Sequence, residues 1–177
     1  MLFVFLALLP LASGFCSDSW PNGTAHAVNF WNCPGGLIKF VDVETFLTDG
    51  QTHTYPVSFQ SSLLLKTKIV NNGHVVFSLQ STMSISTLEG SDVNSCYWST
   101  IPTYGSLNDR NSCSDSVKCP VNPGIQDLDI VLDFTKTSPA TLQMLPADSD
   151  VQIQYTLLDY SMNVQACLMM QMRMTHK

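Results

Sequence analysis

Charge is scarce in this 177-residue chain. Asp, Glu, Lys and Arg supply 12% of it, roughly half the usual share. Only 8 residues are Lys or Arg against 14 acidic ones, for a net charge of −6. A sequence-independent nucleic-acid binder is thereby excluded, because no basic stretch exists to release counterions from phosphates. No segment after the N-terminal run is long and apolar enough for a transmembrane helix. No stretch has helical periodicity, and neither internal repeats nor low-complexity tails occur. A Gly-x-Ser-x-Gly elbow is missing, so a Ser-His-Asp hydrolase has no local support. Glycine motifs that cradle phosphates are missing too.

Hydrophobic residues, by contrast, make up 45% of the chain. That is ample for a buried core in a single domain. Residues Met1 to Leu9 are apolar throughout, and Pro10 and Ala12-Ser13-Gly14 follow. This pattern resembles a secretory signal peptide over 1–14, which leaves 15–177 as one mature domain. The run is too short to anchor in a bilayer. Six cysteines remain, an even number that implies disulfides in an exported protein. Cys113 and Cys119 lack a second ligand pair or a nearby His, so no metal site is expected. Asn22-Gly23-Thr24 is a glycosylation sequon, with Asn22 the acceptor.

Most of the chain alternates with period two, as half-buried strands do. Leu37 to Phe46 reads as one strand. From Tyr55, residues Val57, Phe59, Leu63 and Leu65 form an apolar side. Asn71-Asn72-Gly73 then signals a tight hairpin, into a strand with Val75, Phe77, Leu79, Met83 and Ile85 inward. Ser86 to Ser112 breaks the rhythm and reads as a long polar loop. Leu128, Ile130, Leu132 and Phe134 alternate with Asp127, Asp129 and Asp133. A closing hairpin over Val151–Met174 turns near Asp159–Asn163. It places Val164, Ala166, Leu168, Met170, Met172 and Met174 on one face. Gln165, Cys167, Gln171 and Arg173 fall on the other, expected to be wet. Short strands at this spacing indicate an all-β sandwich or barrel.

Candidates for catalysis are thin. His26, His53, His74 and His176 lie in different segments and read as surface histidines. Asp127, Asp129 and Asp133 read as the solvated side of their strand rather than as an acid/base or metal set. The positive signal is apolar: Phe59, Phe77, Phe134, Tyr155 and the methionine row face inward. Alternation shows which side is buried. It leaves open whether the two sheets touch or stand apart around a ligand.

Cys33-Pro34-Gly35-Gly36-Leu37-Ile38-Lys39-Phe40-Val41-Asp42-Val43 resembles the opening of ML domains, the lipid-recognition family. That family includes the soluble Niemann-Pick type C cholesterol carrier, mite group 2 allergens and the ganglioside activator. Cys113 to Cys119 followed by Pro120-Val121-Asn122-Pro123-Gly124 resembles its small disulfide loop. Asp150 to Met174 is similar to its C-terminal hairpin. The resemblance implies an immunoglobulin-like β-sandwich of two antiparallel sheets with an apolar cavity between them. It also implies Cys33–Cys167 and Cys113–Cys119 disulfides, and by exclusion Cys16–Cys96. Phe59, Phe77, Leu79, Leu132, Phe134, Tyr155 and Met170 would line the cavity. Leu142, Leu145 and Pro146, with Tyr97, Trp98 and Tyr104, would form its mouth and touch a membrane transiently.

The implied function is a secreted or lysosomal lipid-binding and transfer protein without catalysis or cofactor, acting as a monomer. A sterol is the first ligand to consider, with phospholipid and glycolipid as others. The alternatives are a protein-interaction module with a solid core, and an activator that presents lipid to a hydrolase.

Overall fold

The computed structural model describes residues 16, 20–51, 55–90, 95–109 and 111–176. The leader expected over 1–14 and His53 lie outside them. Among the described residues, nine strands form two sheets. They are β1 (Asn29–Asn32), β2 (Ile38–Leu47), β3 (Val57–Ser58), β4 (Ser62–Asn71), β5 (Gln80–Glu89), β6 (Tyr97–Ile101), β7 (Gly124–Asp133), β8 (Asp148–Leu158) and β9 (Val164–Thr175). Two short helices, α1 (Ser112–Asp115) and α2 (Pro139–Met144), sit in connections. The larger sheet runs β1-β9-β8-β5-β6, with β3 parallel to the end of β9; the smaller runs β2-β4-β7.

The closing hairpin is the centre of the larger sheet. Its register sets Val151 opposite Met172, Ile153 opposite Met170 and Tyr155 opposite Leu168, all buried. From the smaller sheet, Leu63, Leu65, Leu128, Ile130 and Leu132 face them, also buried. The Phe59 and Phe134 rings meet edge to face, 6.3 Å apart, the arrangement their quadrupoles favour. The fold is a sandwich of two antiparallel sheets, as expected.

The opposite face of the hairpin is not wet. Gln165, Cys167 and Gln171 are buried, as is Asp150. Residues 20–27 and β1 cover this side: Asn22 donates to Gln171 at 2.7 Å, and Thr24 donates to Asp150 at 2.8 Å. Alternation identifies two faces, but a polar face can be covered when its polar groups find partners. Gly36 makes close cover possible at Cys33. A side chain there would meet the Gln165 carbonyl oxygen at 2.5 Å, and its φ of +71° suits glycine.

The expected hairpin at Asn71-Asn72-Gly73 does not form. β4 already has β2 and β7 on its two sides, so the next strand finds no free edge and crosses to the other sheet. Asn71 does make the turn, accepting from the Gly73 N–H at 2.9 Å. Residues 74–79 therefore lie outside a strand. Val76 and Leu79 are buried there, whereas Phe77 is 76% exposed. The expectation that Phe77 lines the interior is corrected on this ground.

The long loop expected over Ser86–Ser112 is also corrected. β5 continues to Glu89, and β6 pairs with it, Ile101 opposite Ile85 and Tyr97 opposite Glu89. An edge strand carries polar residues on its open side, which hides the strand signal. The structure holds three disulfides, Cys16–Cys96, Cys33–Cys167 and Cys113–Cys119. This is the pairing the family resemblance implies. Asp127 and Asp129 stand on the outer face of the smaller sheet, in register with Lys68 and Lys66. Asp42 and Glu44 flank the same lysines from β2. Their alternating charges form a solvated ladder rather than a catalytic set.

Candidate functional site: the inter-sheet cleft

Residues from both sheets meet at the edge where β9 ends and β4 begins. A cleft of about 500 Å³ opens there, within the size range of small-molecule sites. Leu47 and Leu63 of the smaller sheet form one wall. Asp148, Arg173 and Thr175 of the larger sheet form the other, and Tyr55-Pro56-Val57 closes the side. Leu63 lines the cleft and also belongs to the buried apolar core. There lie Phe59, Leu79, Leu132, Phe134, Tyr155 and Met170, each at most 2% exposed. Six of the seven expected lining residues are thus brought together between the sheets, and Phe77 is not.

The expected mouth residues are spread out. Leu142 is half-buried and packs on the core, Leu145 is buried, and Pro146 is exposed just before Asp148. Tyr97 and Tyr104 are exposed on the β6 side of the larger sheet, away from the β3–β9 edge. The rim the sequence reading missed is Tyr55, Pro56, Asp148 and Arg173. One signal was available: pairing the hairpin from its turn sets Asp150 opposite Arg173 and brings Asp148 beside it.

Polar groups brace this rim. Arg173 grips Asp148 with two nitrogens, Nε at 2.8 Å and Nη2 on the second oxygen. The same guanidinium lies over the Trp20 ring, 4.6 Å from its centre, a cation–π contact. The Tyr55 hydroxyl accepts from the Arg173 N–H at 2.6 Å and donates to the Thr24 carbonyl at 2.5 Å. Burial pushes its pKa up. The N-terminal segment is thereby tied to the strand that walls the cleft.

Asp150 sits beneath this segment, 1% exposed. It accepts from the Trp20 N–H and the Thr24 hydroxyl. Burial nevertheless dominates, and its pKa is pushed up to about 6. The sign follows. The folded chain keeps this proton to higher pH than the unfolded chain does, so folding takes up a proton between the two pKa values. The stability contribution is full below about pH 4 and is lost as pH rises through about 6. The shift corresponds to about 3 kcal/mol at most. Asp159 behaves oppositely: bonds from Asn163 first, then Ser161 and Gln165, hold its carboxyl low. Its contribution is lost only as pH falls below the ordinary carboxylate range. We therefore expect the melting temperature to rise as pH falls from 7 to 5. Asp150→Asn should raise it at pH 7 and flatten that slope; thermal unfolding across the range checks both.

No family model matches the chain, and no curated protein matches it by sequence. By structure it is similar to a Niemann-Pick type C2 protein from Japanese carpenter ant. The TM-score is 0.51 and the identity 15%, over 83% of this chain and 99% of that one. Weaker overlaps, which carry no argument, are with the C-terminal domain of wzt and with chicken MD-1 complexed with lipid IVa. The first has a TM-score of 0.42 and 13% identity, over 85% of this chain and 79% of that one. The second has a TM-score of 0.36 and 10% identity, over 82% and 96%. The chain thus has a β-sandwich fold similar to that of the carpenter-ant protein, which upholds, for the fold, its resemblance to the ML-domain family.

Proposed function

We propose that this protein is a non-enzymatic carrier that takes up one lipid between its two sheets, through the cleft beside β3. The cleft supports the reading, because its walls come from both sheets and one of its lining residues, Leu63, belongs to the buried apolar core. Met170, Met172 and Met174 stand in one inward row. Flexible, polarisable methionines can move apart around an apolar guest more readily than branched side chains. Each Å² of lipid removed from water gains roughly 25 cal/mol, so apolar walls alone suffice for binding. A sterol is the first ligand to test. Three disulfides and the leader-like N-terminus support export, to the extracellular space or the lysosome. A rise in stability with acidity would suit an acidic compartment.

Delipidated protein offered fluorescent sterol, phospholipid and glycolipid should take up at least one of them at one molecule per chain. Failure with all three would sink the reading. A second reading, a protein-interaction module, is favoured by one observation. Tyr160 and Met162 in the turn between β8 and β9 are 77% and 61% exposed. It predicts a partner that Tyr160→Ser and Met162→Ser release, and no lipid uptake.

A further inference from the structure

Tyr97 and Trp98, expected from sequence at the cavity mouth, instead begin β6, the last strand of the larger sheet. β6 pairs with β5 on one side, in unbroken register from Tyr97 opposite Glu89 to Ile101 opposite Ile85. Among the described residues, nothing pairs with its other side. Such an edge offers a row of N–H and C=O groups to another strand, and proteins usually blunt it.

The other edges are blunted. On β2, the Asn32 side chain bonds both the N–H and the C=O of Phe40, each at 2.8 Å. A register shift between Phe40 and Asp42, and the charges of Lys39, Asp42 and Glu44, add to this. Beside β7, Val131 donates its N–H to the Ser116 carbonyl at 2.9 Å, and Val117 bridges to Ile130. β1 is only 4 residues long and holds Asn29 and Asn32, a residue type that strands disfavour. Among the described residues, β6 shows none of these devices. Its run Tyr97-Trp98-Ser99-Thr100-Ile101 carries no charge, and all but Ser99 are aromatic or β-branched, the types that favour strands. Tyr97 is 57% exposed, and Thr100 is exposed as well.

Laid antiparallel on a second copy about a two-fold axis through Ser99, β6 complements itself. Tyr97 then faces Ile101, and Trp98 faces Thr100, each pair occurring on both sides of the axis. Aromatic against β-branched is a favoured cross-strand combination. Pro102 follows directly, and it lacks the N–H that a register slipped toward it would need.

We infer that β6 joins a second copy of this chain edge to edge, making one continuous sheet across a two-fold dimer. This goes beyond the carrier reading and replaces the monomer expected from sequence. The cleft beside β3 and β9 is separated from β6 by β8 and β5, so both copies keep it open. The interface is small, so the pairing is reversible. Each chain carries a net charge of −6; the copies repel, and salt should tighten the dimer.

Sedimentation velocity of the secreted chain across a dilution series tests it. The wild type should dimerise with a micromolar dissociation constant that falls as salt rises. Ser99→Lys and Ser99→Asp each set like charges face to face on the axis, and each should weaken the dimer at least tenfold. Mixed in equal amounts, the two variants should dimerise again, a recovery that a merely structural role for Ser99 does not produce. Ile125→Ser, at an exposed position of β7, should leave the dimer unchanged. A wild type that stays monomeric into the millimolar range overturns the inference. So does a dimer that both Ser99 variants keep, or one that they lose and do not regain on mixing. A different chain held at β6 by a wild type that does not self-associate overturns it too. Should the Ser99 variants not fold, amide exchange of the wild type decides: it must slow at residues 97–101 as the protein is concentrated.

Discussion

Replacing Cys33 and Cys167 together by serine should lower the unfolding free energy by about 5 kcal/mol, the largest effect expected of any surface-preserving change. The two cysteines are 134 residues apart in sequence, so their bond closes the longest of the three loops and restricts the unfolded chain more than the other two. Its position adds to this. Cys33 follows β1 and precedes β2, and its N–H donates to the Cys167 carbonyl at 3.1 Å. The bond thus ties the corner between the two sheets to the central strand β9. At this chain length the melting temperature should fall by roughly 10–20 °C. Cys113–Cys119 spans only 6 residues, and the same relation gives about 2 kcal/mol for its loss. The ordering is the test: thermal unfolding of the two double-serine variants should show the long bridge costing more than the short one.

Plugging the cleft should reduce lipid uptake about a hundredfold, equivalent to roughly 3 kcal/mol. Ser61 lines the cleft, at the turn between β3 and β4. Its hydroxyl donates only to the nearby Ser58 carbonyl, so the site tolerates change. Ser61→Trp would place an indole across the opening between Leu63 and Thr175, while Ser61→Ala leaves the opening clear. Met144→Ala, near the mouth expected from sequence, should leave uptake unchanged. Were the rates to fall for Met144→Ala and hold for Ser61→Trp, the route would lie at α2 instead.

How much of this was legible in the sequence depends on what each residue had to reveal. Period-two alternation found the inward faces of β4, β7, β8 and β9, because burial on one side leaves a direct trace in residue type. It failed at Phe77, where three alternating residues lie in a crossing segment rather than a strand. Alternation is local, and whether an edge is free to pair is not. Asn71-Asn72-Gly73 shows the same limit: the turn chemistry was right and the partner was wrong, because β7, distant in sequence, had taken the edge. The buried state of Gln171 and Asp150 was invisible for a related reason. Polar residues do not announce that a separate segment will supply their partners. The cleft rim escaped because Tyr55, Asp148 and Arg173 come from three elements, and only the folded register brings them together.

The central claim is that the interior between the sheets takes a lipid. Native mass spectrometry of the chain secreted from eukaryotic cells, followed by release and identification of any bound molecule, tests it most directly. The account predicts a one-to-one complex with a lipid that organic solvent removes and that the delipidated protein takes up again. A bare chain mass that does not change on incubation with sterol, phospholipid or glycolipid would contradict it.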